Sequence, residues 1–128
     1  MERAATMIWS AIGAVALAVA VALGAFGAHG LRGRLDAYSM GIYEKAVFYH
    51  FIHAIGILVV PLFARFSSMP RAGLVCALLA AGILFFSGSL YLLAVTGERW
   101  LGAVTPIGGV CFISAWTVLA VSLWRATQ

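Results

Sequence analysis

The sequence predicts an all-α integral membrane protein: a four-helix bundle with short loops and both termini on the same side. Three observations carry that prediction. First, four runs hold no formally charged residue, at residues 4–31, 46–64, 72–97 and 100–124. A helix needs about 20 apolar residues to cross the hydrocarbon core of a bilayer, and each run is of that order. Second, only 9% of the 128 residues are charged and 64% are hydrophobic. A soluble domain carries about 25% charged residues, so these few could not cover a folded surface, and lipid must solvate much of it. Third, the runs show no two-residue alternation and are too long for barrel strands of about 10 residues. Helices are then the remaining way to satisfy every backbone donor and acceptor inside lipid.

The whole chain, residues 1–128, reads as a single transmembrane domain with spans at about 7–28, 42–65, 72–95 and 106–123. No soluble domain fits in the remainder. The first segment has Arg3 ahead of an alanine-rich run, as a signal peptide does. Its apolar stretch far exceeds the 7–15 residues or so of a signal core, so it is expected to remain as a span. Ala16, Ala20, Gly24 and Ala28 form a four-residue stripe of small side chains, which suits close packing on a neighbouring span.

Residues 29–41 form the longest predicted loop. Leu31, Leu35 and Tyr38 would share one face of a short interfacial helix, with Arg32 and Arg34 set off from it to contact headgroups. Span two opens with Glu44 and Lys45, contains His50 and His53, and carries Pro61 near its end, where one helical hydrogen bond is lost. In span three, Ser87, Gly88 and Ser89 interrupt the apolar surface. Before span four, Thr105 is placed to cap the helix and Pro106 to occupy its first position. Trp9 and Trp124 mark one membrane interface and Trp100 the other. Cys76 and Cys111 fall near opposite faces, too far apart for a disulfide.

The formal charge of +4 is scattered over loops and span ends. It is no nucleic-acid footprint, and it makes membrane lipids the expected partner. Arg3, Arg65, Arg71 and Arg125 fall on one side of the membrane, and Arg32, Arg34, Lys45 and Arg99 on the other. Counting basic residues therefore leaves the orientation open.

The chemistry-bearing residues are few. His50 and His53 are neighbours at i and i+3 on a helix, with Tyr43 and Ala46 on the same face and Tyr49 at its edge. Ionisable groups inside a span usually face the bundle interior and often mark function. Ser87, Ser89 and Thr105 are candidate hydrogen-bond partners. The alternatives are a small-molecule or lipid headgroup site, or a metal or haem site with His29 as the remaining histidine. No HExxH, CxxC, CxxCH or GxSxG motif is present, no catalytic constellation is recognised, and the sequence specifies no cofactor or metal. Asp36, Glu44 and Glu98 sit at loops or span ends rather than at mid-membrane, which argues against a monomeric solute carrier.

Four segments then stand out together: Gly24-Ala25-Phe26-Gly27-Ala28-His29-Gly30-Leu31, Tyr49-His50-Phe51-Ile52-His53-Ala54, Phe86-Ser87-Gly88-Ser89-Leu90-Tyr91 and Thr105-Pro106-Ile107-Gly108-Gly109. In this order and spacing the chain resembles the small membrane proteins grouped as domain-of-unknown-function family 423. The resemblance covers nearly the whole chain. It implies a four-helix protein of a bacterial inner membrane, with distant eukaryotic relatives, and brings no activity, cofactor or catalytic residue. His29, Tyr49, His50, His53, Ser87, Ser89 and Thr105 match its motif positions and are the candidate ligand-binding residues, with Arg32 and Arg34 as candidate headgroup contacts. The expected function is a non-enzymatic protein that binds a lipid or small ligand, or that joins a homo-oligomer or larger membrane complex. The alternatives are a histidine-based metal or cofactor-binding redox protein, and an oligomeric pore or small transporter.

Overall fold

The computed structural model describes residues 2–128. Helix α1 (Arg3–Phe26) runs on into a π turn (Gly27–Leu31), and α2 (Ala37–Phe66) follows after a tight loop. Helix α3 (Ala72–Gly82) passes through a second π turn (Ile83–Ser87) into α4 (Gly88–Thr96). A 3-10 turn (Arg99–Ala103) leads into α5 (Thr105–Arg125). Four helical stretches are long and apolar enough to span a membrane: Arg3–Leu31, Ala37–Phe66, Ala72–Thr96 and Arg99–Arg125. Four crossings return the chain to its starting side. The outer surface is apolar, with Leu84 72% and Ile113 69% exposed. Such a belt is at home in hydrocarbon and unfavourable in water.

The loop between the first two spans is shorter than the sequence predicts. The glycines near its start do not end the helix, because α1 widens into the π turn and closes at Leu31. Gly33 then takes φ +83°, a left-handed conformation open to a residue without Cβ. Asp36 caps α2, accepting a hydrogen bond from the Ser39 backbone N–H at 2.7 Å. That bond holds its carboxyl below the usual carboxylate range. The expected interfacial helix is therefore absent: Leu31 ends the π turn, Leu35 lies in the loop and Tyr38 belongs to α2. Thr105 also departs from its expected role. It stands inside α5, one residue after the cap position at Val104, and its hydroxyl is committed elsewhere.

Helix α1 packs chiefly on α2. Its buried residues are Thr6, Gly13 and Ala20, with Gly27 next in the π turn. That spacing is seven rather than the four read from the sequence, and it is the repeat of left-handed helix pairs. Of the four-residue stripe only Ala20 is buried, and Ala28 is exposed. A Cβ on Gly13 would overlap the Leu58 backbone, and one on Gly27 would overlap the Tyr43 ring. The Ser10 hydroxyl donates to the Leu58 carbonyl across this seam at 3.1 Å.

The main core lies between α2, α3 and α5, where Ile57, Val60, Val75, Leu79, Phe112 and Ala115 interlock. Gly108 brings α5 against the backbone of Phe85 and Phe86 in the second π turn. Cys76 is buried here as a free thiol, and Cys111 is half-buried, also free. Helix α2 continues through Pro61 to Phe66.

Candidate functional site

The buried face of α2 reads Tyr43, Ala46, His50 and His53, the face that helical spacing predicts. His50 is 4% exposed and His53 5%, and both stand near the midpoint of α2. Each ring is already engaged within the protein. The Nδ1 of His53 lies 2.6 Å from the Tyr49 carbonyl one turn earlier. A carbonyl can only accept, so Nδ1 carries the proton and donates. The ring lies flat on Phe112, with centroids 3.4 Å apart and planes 12° from parallel. Tyr49 stacks 5.9 Å away and closes on Phe86 at 4.4 Å. His53 is thus bound into an aromatic stack joining α2, α5 and the second π turn.

His50 works between helices. Its Nδ1 shares a hydrogen bond of 2.9 Å with the Tyr91 hydroxyl on α4. Tyr91 meets Tyr43 edge to face at 5.2 Å, and the Tyr43 hydroxyl donates to the Leu23 carbonyl of α1. A chain of polar groups therefore crosses the bundle from α4 through α2 to α1. Buried polar groups usually find such partners, since an unmade bond in lipid costs several kcal/mol or so.

The remaining candidates divide. Ser89 donates to the Phe86 carbonyl at 3.0 Å and pairs with Thr105 at 2.6 Å, which ties α4 to α5. Either hydroxyl can donate in that pair, since Ser89 has the Phe86 carbonyl and Thr105 the Leu101 carbonyl, at 3.4 Å, as its other acceptor. Ser87 is fully buried at the end of the π turn, and among the described residues its hydroxyl has no partner. His29 stands apart, exposed in the first π turn, and Arg32 and Arg34 are exposed in the loop after it. The structure therefore gathers Tyr49, His50 and His53 on α2, joins Ser89 to Thr105, and leaves His29 outside. Among the described residues no three of His, Cys, Asp and Glu converge as metal ligands. Tyr43, Tyr91 and Phe112 complete the layer. Phenols inside apolar spans were the signal for the first two.

A cleft opens sideways between the end of α1 and the start of α2. Its volume is about 130 Å³, and Gly24, Gly27, Ala28, Met40, Tyr43 and Val47 line it beneath Arg32 and Glu44. The charge-free run of α2 begins at residue 46, so this cleft lies where hydrocarbon gives way to headgroups.

The protein family described as "Protein of unknown function (DUF423)" matches residues 23–109. That stretch holds all four of the segments singled out above, from Gly24 to Gly109. A "UPF0382 membrane protein" of Staphylococcus epidermidis is 50% identical over 87% of this chain and 90% of its own length. The "UPF0382 membrane protein YwdK" of Bacillus subtilis is 44% identical over 87% of this chain and 91% of its own length. A Staphylococcus haemolyticus relative with the same description is 43% identical over 89% and 93%. No solved structure matches. Neither the geometry nor the relatives point to a catalytic activity.

Proposed function

This chain belongs to the protein family of unknown function DUF423, and on that footing we propose that it is a non-enzymatic, lipid-binding protein of the bacterial inner membrane. The observation that carries this reading is the cleft between α1 and α2. It combines an apolar floor with Arg32 and Glu44 at its rim. An acyl chain suits the floor, and the planar guanidinium of Arg32 suits a phosphodiester. Glu44 adds an acceptor for an ammonium group, so the cleft favours a zwitterionic aminophospholipid such as phosphatidylethanolamine. The helical architecture supports the inner membrane, since outer-membrane spans are barrels.

The histidines favour a structural role in this reading. Both rings are held by hydrogen bonds and stacking, and a metal would have to displace those bonds and find a third ligand. The test is native mass spectrometry of protein released from nanodiscs holding equal phosphatidylethanolamine and phosphatidylcholine. Wild type should retain phosphatidylethanolamine preferentially, Glu44→Gln should lose that preference, and Arg32→Ala should lower retention of both lipids, which share the phosphodiester. Equal retention of the two lipids by wild type would sink the proposal. A bound metal lost from a His50→Ala/His53→Ala variant would move the function to the histidine layer.

A further inference from the structure

The end of the molecule that carries both termini holds a second cleft, about 250 Å³ in volume, between the α2–α3 turn and the last turn of α5. We propose that it is a binding site for a phosphate-bearing anion, filled in the membrane by the headgroup of an anionic phospholipid. Arg71 and Arg125 reach it from separate segments, and Ser68 and Ser122 add hydroxyl donors. Among the described residues no carboxylate lines it. Two guanidinium forks and two hydroxyls are donors suited to phosphate oxygens. Basic pockets between spans at the headgroup level are a recurring way to hold anionic lipids.

The charge distribution points the same way. Of the four acidic residues, Asp36, Glu44 and Glu98 belong to the opposite end, leaving only Glu2 at this one. Both ends carry four basic residues, so the net side-chain charge is +3 at this end and +1 at the other. Depth agrees as well. The charge-free run of α5 ends at Trp124, which is 71% exposed beside Arg125, and an exposed tryptophan of this kind sits at the membrane interface. The α1–α2 cleft differs in having Glu44 at its rim. The two sites therefore select different headgroups, and neither depends on the other.

The experiment is lipid retention in nanodiscs of phosphatidylglycerol and phosphatidylcholine, read by native mass spectrometry. Wild type should keep phosphatidylglycerol, and Arg71→Ala/Arg125→Ala should reduce retention by on the order of tenfold. Arg65→Ala removes one positive charge at the same end but outside the cleft, and should leave retention unchanged. Arg71→Lys/Arg125→Lys preserves charge and fold but not the forks, and should bind more weakly than wild type. If the lysine variant holds phosphatidylglycerol as well as wild type does, or Arg65→Ala loses as much as the double alanine variant, the built site is overturned and only diffuse attraction remains. Competition by millimolar inorganic phosphate would support the site and assign it to soluble phosphate. Arg32→Ala, which tests the other cleft, should leave phosphatidylglycerol retention intact.

Discussion

Helix α2 meets its neighbours in two ways. Toward α1 the contact is made chiefly by small residues seven apart, with Gly13 against the Leu58 backbone and cross-helix hydroxyl bonds from Ser10 and Tyr43. Toward α3, α4 and α5 it is made by rings and hydrogen bonds, with His53 on Phe112 and His50 on Tyr91. The first seam joins two helices only, and α1 has lipid on its other sides. In its most apolar stretch 17% of residues are buried, against 44% for α2. The second seam ties three spans at once. In lipid no hydrophobic force drives helices together, so packing and hydrogen bonds decide which seam holds. The α1 seam should therefore yield locally and the other cooperatively.

The sharpest way to break that contrast is at Gly108. An added Cβ would overlap the backbone of Phe85 and Phe86, and three packed helices leave it nowhere to go. Overpacking of this kind costs up to about 3 kcal/mol, against roughly 1 kcal/mol regained by putting alanine for glycine in a helix. Gly108→Ala should lose about 2 kcal/mol in a single unfolding transition, measured by denaturation in detergent micelles. Gly13→Ala carries an equally close contact, but α1 can relieve it by moving outward into lipid. Its net cost should be about 1 kcal/mol, seen by hydrogen exchange as faster amides in α1 while α3, α4 and α5 stay protected. Global loosening in that variant would mean that α1 is part of the cooperative core. The smallest effect is expected for the His50–Tyr91 bond. A double-mutant cycle with His50→Phe and Tyr91→Phe should give a coupling of about 0.6 kcal/mol, typical of hydrogen bonds between membrane helices.

Much of this arrangement was legible from the residues. The charge-free runs marked all four spans, and helical spacing placed Tyr43, Ala46, His50 and His53 on one buried face. What escaped depends on geometry that composition does not carry. The small-residue stripe suggested a period of four because alanine is abundant in α1, but the crossing of two helices selects a period of seven. The sequence suggested a loop from residue 29, whereas the backbone from Gly27 to Leu31 forms a π turn. The histidines were expected to bond serines, tyrosines or carbonyls, with Ser87, Ser89 and Thr105 as the named candidates. His50 instead bonds Tyr91, while Ser89 and Thr105 satisfy each other. Such a choice depends on how α4 is rotated, and no local sequence pattern states that rotation.

That rotation is set by the turn at Ile83–Ser87, where the Gly88 N–H reaches back to the Ile83 carbonyl. A π turn is, in effect, one surplus residue threaded into an α-helix. Were the same residues to run as regular α-helix, α4 would turn by about 100° with a slide of about 1.5 Å. Tyr91 would leave His50 and Ser89 would leave Thr105, while α3 upstream kept its seat on α5. The spelling of the chain here thus matters in its letter count as much as in its letters. One further residue, which the Ser67–Arg71 connection could absorb, would here put the upper half of the span out of phase with its partners, whereas removing one would dissolve the turn and keep the phase.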